Sequence, residues 1–227
     1  MTKEKPVKLS PSSLNLFKEC PRCFWLHVNK KIKRPEAAFP SLPSGMDKVL
    51  KTHFDNFMSK GLLPPELMSE ECIKGKCKLF SDSEKLKIWR NNLKGISYTD
   101  PSSGVVLRGA VDNILVKGLK LIVLDYKTRG YPLKEDTASH YQLQMNVYNY
   151  LLRKNGYKTE DFGYLLFYYP KEVLSTGEVV FDTNLVEMKV DVDSAEKVFK
   201  EAVECIKGEI PAASKECKFC EYAGKAK

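Results

Sequence analysis

The chain of 227 residues is long enough for one domain with a hydrophobic core. Hydrophobic residues make up 43% and charged residues 29%, a composition that excludes fibrous, repetitive and wholly disordered proteins. The formal charge of +8 favours a polyanionic partner such as nucleic acid. No apolar run reaches the roughly 18 residues of a membrane span and no apolar leader follows Met1, so we expect a cytoplasmic protein that binds no membrane.

Two short helices are predicted at the start of the chain. Ser10 is a suitable cap for the first helix, and Pro21 ends or restarts it. A basic stretch at residues 30–34 follows. Prolines downstream of it predict a loop that ends near Gly45.

Apolar residues recur at helical spacing in residues 46–58, which places His53 on a further helix. Residues 65–72 and 83–92 read as shorter helical fragments. We therefore expect the middle of the chain to be mainly helical before the first clear strands begin.

A β-hairpin is predicted next. Strand patterns cover residues 105–116 and 121–128, and they are separated by Gly118 and Leu119. Glycine at the first position of a two-residue loop favours a type II′ turn, which sets the pairing of both strands.

The last third of the chain predicts alternating helices and strands. A helix is expected over residues 138–154, a strand over 164–169, a strand or hairpin within 178–190, and a closing helix over 194–207.

The hairpin register brings two acidic residues together. Asp112 faces Asp125 across the strands, and Lys127 points to the same side of the sheet. Because like charges repel, a shared Mg²⁺ or Mn²⁺ ion is the physical reason to keep such a pair. A bound ion of this kind supports phosphodiester hydrolysis, in which Lys127 orients or deprotonates the attacking water. The alternative is a surface strand whose Asp-x-Lys triplet forms an ordinary ion pair.

The residues around this pair resemble the PD-(D/E)XK nuclease superfamily, in its RecB-like branch. The stretches that carry the resemblance are residues 109–112 (GAVD) and 123–128 (VLDYKT). Gln144 and Tyr148 resemble the branch's Gln-x-x-x-Tyr motif, and their spacing places both on one helix face. The resemblance implies an α/β fold with a restriction-endonuclease-like core, in which helices flank a mixed central sheet.

The resemblance also implies individual roles. Asp112, Asp125 and the carbonyl of Tyr126 would hold the ion, and His53 would assist as a further metal ligand on its helix, with Asp47 as a possible substitute. An ordinary surface or core histidine is the alternative for His53. The residues expected near bound DNA are Arg108, Arg129, Gln144 and Tyr148, with Lys30, Lys31, Lys33 and Arg34 along its approach.

Four of the seven cysteines form two Cys-x-x-Cys pairs, Cys20 with Cys23 and Cys217 with Cys220. In a reducing cytosol such pairs favour metal thiolates over disulfides, and four thiolates serve zinc or iron-sulfur equally well. The two ends of the chain are similar to CRISPR-associated RecB-like exonucleases and to iron-sulfur nuclease domains of recombination helicases. This likeness implies a 4Fe-4S cluster, with Zn²⁺ or no metal as the alternatives.

We therefore expect one nuclease domain in four parts. Residues 9–60 carry the first cysteine pair, 61–103 form a helical insertion, 104–192 form the nuclease core, and 193–227 form a closing helix and cysteine-containing tail. The expected activity is Mg²⁺- or Mn²⁺-dependent hydrolysis of DNA by an exonuclease in repair, recombination or CRISPR-type processing, within a complex of protein partners. The alternatives are a catalytically inactive nucleic-acid-binding protein of the same fold and a zinc-stabilised interaction module.

Overall fold

The computed structural model describes residues 6–35, 40–71 and 73–225. The helices are α1 (Pro11–Glu19), α2 (Pro21–Lys30), α3 (Ser41–Met58), α4 (Pro65–Met68), α5 (Ser83–Trp89), α6 (Gln142–Lys154), α7 (Val192–Lys207) and α8 (Lys218–Lys225), and a 3₁₀ turn at Ala138–Tyr141 precedes α6. The strands are β1 (Lys8–Leu9), β2 (Lys78–Leu79), β3 (Ile96–Thr99), β4 (Val106–Gly109), β5 (Asn113–Lys117), β6 (Lys120–Thr128), β7 (Phe162–Val173) and β8 (Val179–Lys189).

The first helices begin where the sequence predicts. The Ser10 side chain accepts a hydrogen bond from the backbone of Ser13 at 3.2 Å, which caps α1. The expected loop up to Gly45 is wrong in its last part, because α3 already begins at Ser41. Pro43 is accommodated in the first turn, where backbone N–H groups have no partner within the helix. The rest of that loop, residues 36–39, lies outside the described residues.

Two mixed sheets form the body of the fold. The larger sheet has the order β2-β5-β6-β7-β8, and among these described strands β6 and β7 run parallel while the other neighbours run antiparallel. The smaller sheet has the order β1-β4-β3, with β1 parallel to β4. The parallel connection from β6 to β7 passes through α6, the kind of helical crossover that parallel neighbours require.

The expected single strand over residues 105–116 is wrong. The chain leaves the small sheet at Gly109 and enters the large sheet at Asn113, so two strands stand where one was predicted. The predicted register nevertheless holds from the pair of Lys117 and Lys120 to the pair of Asn113 and Leu124. Residues 110–112 form the crossing between the two sheets. Because the alternation of buried and more exposed positions continues through these residues, the sequence pattern does not reveal that one strand ends and another begins.

The middle of the chain is less helical than expected. It contains α4 and α5, but also β2 and β3, which extend the large and the small sheet respectively. These strands are two and four residues long. Such short strands carry too little alternation to be read from sequence.

Successive residues of β6 enter two different cores. Leu121 and Val123 face α6 and α7, whereas Ile122, Leu124 and Tyr126 face α3. Both faces of this strand are thus buried, as its continuous apolar run suggests. Within the described ranges, no helix combines the length and apolar character needed to cross a bilayer.

Candidate active site and cysteine cluster

Asp112 lies in the short crossing between the two sheets, one residue before β5. Its backbone carbonyl accepts a hydrogen bond from Nε of Arg90 at 2.6 Å. Its carboxylate accepts a second bond, from the backbone N–H of Tyr126 at 3.0 Å. Both bonds are made to Asp112, and its carboxylate is thereby fixed beside the backbone of β6.

Asp125 and Lys127 point to the same face of β6 and form an ion pair. Asp125 is 1% exposed, and burial, followed by the charge of Asp112, raises its pKa to about 7 despite the opposing charge of Lys127. Burial disfavours the charged form of Lys127, but Asp125 outweighs that effect and raises the pKa of Lys127. The carboxylates of Asp112 and Asp125 and the ammonium group of Lys127 therefore lie close together in one largely buried site.

The ion pair continues into α6 through hydrogen bonds. Nζ of Lys127 donates to Oε1 of Gln144 at 3.1 Å, and Nε2 of Gln144 donates to the hydroxyl of Tyr148 at 2.7 Å. The i, i+4 spacing of Gln144 and Tyr148 allows this second bond on one helix face. The Gln-x-x-x-Tyr residues thus orient the lysine that contacts Asp125.

The oxygen atoms at this site fit a hard divalent cation. The hydrogen-bonded pairing of β5 with β6 ends at Leu124. Tyr126 is the next residue of β6 whose backbone N–H and C=O point to the β5 side, and no described strand pairs with it on that side. Because the N–H and C=O of one strand residue point to the same edge, the Tyr126 carbonyl lies on the side where its N–H binds Asp112. Two carboxylates and one carbonyl match the ligands that Mg²⁺ and Mn²⁺ prefer, and a cation there would relieve the charge on Asp125.

The structure does not bring His53 to these oxygens. Its Nε2 lies 3.0 Å from a carboxylate oxygen of Glu66, and the same carboxylate accepts a hydrogen bond from Tyr168 at 2.5 Å. Phe54, the neighbour of His53, packs on Tyr126 in the core opposite Asp125. His53 is therefore left out of the ligand set that we propose below.

The same helix instead sends Lys51 to the site. Nζ of Lys51 lies 3.0 Å from the Asp112 carboxylate and 2.8 Å from that of Asp47. Residues two positions apart on a helix point about 200° apart, so Lys51 and His53 cannot serve the same site. The sequence reasoning missed Lys51, although its i, i+4 spacing from Asp47 was a usable signal.

Three of the residues expected near DNA, Arg108, Gln144 and Tyr148, line one cleft of about 340 Å³. Ser10 and Ser12 at the start of α1 also line it. The cleft is thus continuous with the residues that orient Lys127.

The other predicted DNA contacts lie elsewhere. Arg129 directly follows β6, and Lys30 and Lys31 are exposed at the end of α2. Lys33 and Arg34 line a cavity of about 820 Å³ next to the cysteines. Further lining residues of this cavity are Arg22, Lys218, Phe219 and Tyr222.

The four predicted cysteines meet where the two ends of the chain come together. Sγ of Cys23 lies 3.6 Å from that of Cys217 and 3.5 Å from that of Cys220, and Cys20 lies 3.8 Å from Cys220. All four sulfur atoms lie within 4.8 Å of one another. A tetrahedral ion with metal–sulfur bonds of about 2.3 Å requires sulfurs about 3.8 Å apart, so the spacing fits one ion.

The surroundings of the cluster favour bound metal. Burial, with the neighbouring sulfurs, raises the pKa of Cys220 well above its usual range, whereas at Cys20 the effect of burial is outweighed by hydrogen bonds from the backbone of Ser214 and Cys23, which lower its pKa to about 6. A bound cation would stabilise the thiolate form of all four groups together.

Arg34 donates a hydrogen bond to Sγ of Cys217 at 3.6 Å and lies over the ring of Phe219 at 4.6 Å. It also pairs with Glu19 at 2.5 Å. Arg34 therefore supports the cluster in addition to lining the cavity.

Comparison with known proteins gives the family of the chain. A family model described as the PD-(D/E)XK nuclease superfamily matches residues 8–224, nearly the whole chain, and the chain belongs to this superfamily. Membership supports a metal-dependent nuclease that acts on nucleic acid. Among solved structures, the chain is similar to one described as "Crystal structure of SSO0001", with 15% sequence identity and a TM-score of 0.47 over 97% of this chain and 86% of that chain. No curated protein matches the chain.

Proposed function

We propose that this protein is a Mg²⁺- or Mn²⁺-dependent DNA exonuclease of the RecB-like branch. The observation that carries the proposal is the connected set of contacts from Asp125 through Lys127 and Gln144 to Tyr148, with the Asp112 carboxylate beside it. Three side chains, Lys127 from the strand and Gln144 and Tyr148 from the helix, form one series of contacts that ends at the buried carboxylate of Asp125. A purely structural ion pair on a strand surface has no need of this arrangement.

Each residue has a role that follows from its position. Asp112, Asp125 and the Tyr126 carbonyl would hold the divalent ion, which supplies an activated water and neutralises charge on the phosphoryl oxygens. Lys127 brings a positive charge to the same face, where negative charge develops in the transition state. Gln144 fixes the direction of the lysine, and its own direction is fixed by Tyr148.

The proposed substrate follows from the charge of the chain and the shape of the site. The formal charge of +8 favours a polyanion, and the cleft lined by Gln144 and Tyr148 also offers Arg108 and the Ser12 hydroxyl group to a phosphate backbone. Lys30, Lys31, Lys33 and Arg129 do not line this cleft, and we propose them as separate contacts along the DNA. DNA in repair, recombination or CRISPR-type processing remains the substrate and setting that we propose.

A nuclease assay tests the proposal. Wild type, Asp125→Asn and Lys127→Ala are incubated with labelled linear single- and double-stranded DNA and with circular DNA, in Mn²⁺ or in Mg²⁺. We expect wild type to degrade the linear substrates and both variants to degrade them at least ~100-fold more slowly. Lys120→Ala is the matched control, because Lys120 lies on the same strand but is exposed and paired with Glu160.

The assay can refute each part of the proposal separately. Equal degradation by wild type and Asp125→Asn, or none by either, would remove the enzyme claim. Tight DNA binding without cleavage would favour the catalytically inactive binding protein. Degradation of circular DNA would show an endonuclease instead.

We further propose that the four cysteines hold one zinc ion with a structural role. In a 4Fe-4S cube each thiolate binds a different iron, which spreads the sulfurs farther apart than a single ion does. Three of the sulfur separations are 3.5 to 3.8 Å and all four sulfurs lie within 4.8 Å of one another, which is closer to the geometry of a single tetrahedral ion. Metal analysis of anaerobically purified protein should give one zinc per chain and no absorption near ~400 nm, whereas four irons per chain would refute this assignment.

A further inference from the structure

The acidic pair of the active site is matched by two lysines rather than one. Lys127 contacts Asp125 from the same strand, and Lys51 reaches Asp112 from α3 at 3.0 Å. The side chains of Lys51 and Asp112 are 23% and 15% exposed, so this contact is shielded from water. An ammonium group therefore lies directly on the carboxylate that the divalent ion requires.

Lys51 also has a second carboxylate within reach. Asp47 lies one helical turn earlier on α3, and its oxygens approach Nζ of Lys51 to 2.8 Å. Because both residues belong to one helix, this pair persists whether or not Asp112 is engaged. Asp112 itself is held by Arg90 and by the Tyr126 backbone, so the lysine is the more adjustable partner.

We propose that Lys51 sets the affinity of the active site for its divalent ion, by occupying Asp112 in the metal-free protein and withdrawing to Asp47 when the ion binds. This inference rests on the proposed function and adds a positioning residue to it. Both oxygens of Asp112 already have partners, since Oδ1 lies 3.0 Å from Nζ of Lys51 and Oδ2 accepts the N–H of Tyr126. An ion that binds Oδ1 therefore competes with Lys51 for that oxygen, and the repulsion between the two positive charges adds to the competition. Asp47 supplies the acceptor that remains to Lys51 when the ion displaces it.

Binding of Mn²⁺ to the full chain tests this inference without any reading of activity. Free Mn²⁺ is measured by electron paramagnetic resonance during titration of wild type, Lys51→Met, Asp47→Asn and the double variant. Lys51→Met should lower the Kd about tenfold or more, because the competing charge is gone. As a single substitution, Asp47→Asn should raise the Kd at least about threefold, because the displaced lysine loses its second carboxylate. Added to Lys51→Met, it should leave the Kd unchanged, because there is then no lysine for Asp47 to accept.

Lys48→Met is the matched control. This variant removes the same charge from the same helix, but Lys48 is exposed to solvent. The Kd of Lys48→Met for Mn²⁺ should therefore stay within about twofold of the wild-type value. Urea unfolding of each variant confirms that a change in Kd is measured on folded protein.

Three outcomes would overturn the inference. If Lys51→Met binds Mn²⁺ no more tightly than Lys48→Met, the lysine does not compete with the ion. If Asp47→Asn weakens binding equally in both backgrounds, Asp47 is itself a metal ligand and not the acceptor for Lys51. If neither wild type nor Lys51→Met binds Mn²⁺, the metal site of the proposed function fails and this inference fails with it.

Discussion

Replacement of Gly109 by alanine should disturb the active site through packing alone. Gly109 ends β4 where the chain passes beneath α6, and a Cβ atom there would lie 2.7 and 2.8 Å from ring carbons of Tyr148 and 3.1 Å from a methyl group of Leu151. Carbon atoms in ordinary contact are about 3.5–4.0 Å apart, so the ring must move by roughly 0.7 Å or more. Tyr148 is only 4% exposed, which leaves it little space to do so.

The expected cost is that of an overpacked core, about 1–3 kcal/mol. For a chain of this size each kcal/mol lowers the Tm by about 2–4 °C, so we expect a fall of about 2–12 °C. The moved ring also pulls its hydroxyl away from Gln144, which orients Lys127. Nuclease activity should therefore fall at least ~10-fold, since misplacing a catalytic group by an ångström is already costly.

Thermal unfolding and the nuclease assay together measure these effects. Gly45→Ala is the control, because Gly45 lies within α3 with no atom near its missing Cβ, and alanine there should stabilise the helix by about 0.5–1 kcal/mol. A Gly109→Ala protein as stable and as active as Gly45→Ala would refute the close packing of β4 against α6 and the path from Tyr148 to Lys127.

Three further substitutions probe other parts of the structure. His53→Ala should leave the Kd for Mn²⁺ within about twofold of wild type but lower the free energy of unfolding by about 1–3 kcal/mol, because Glu66 loses a hydrogen-bond partner. A large rise in the Kd for Mn²⁺ would return His53 to the ligand set. Cys23→Ser should abolish binding of metal at the cysteine cluster and lower the Tm, as measured by metal analysis and calorimetry, and retention of the metal would argue against four-thiolate ligation. Gly118→Ala should lower the free energy of unfolding in urea by about 1–2 kcal/mol through backbone strain alone, because φ of Gly118 is +59° and no atom lies near an added Cβ. An unchanged urea midpoint would contradict the positive φ at this turn.

Several features of the site were predictable because they depend on periodicity within one element. Alternation along β6 is enough to place Asp125 and Lys127 on one face, and the i, i+4 spacing places Gln144 and Tyr148 together. The glycine turn at residue 118 determines the hairpin register as far as Asn113.

Features that join separate elements were not predictable in the same way. The pattern around Asp112 looks like continuous strand, yet there the chain crosses between two sheets, held by Arg90. Helical spacing places both Lys51 and His53 on α3 but does not state which of them faces the active site. That choice depends on how α3 packs against β6.

The sequence by itself therefore determined the chemistry available to this protein: an acidic pair with a lysine, a Gln-x-x-x-Tyr helix and two cysteine pairs. Only the tertiary structure decided that Lys51 rather than His53 meets Asp112, and that the four sulfurs approach closely enough for one ion. The physical reason is that local backbone geometry orders side chains within an element, whereas contacts between elements depend on the packing of the whole core.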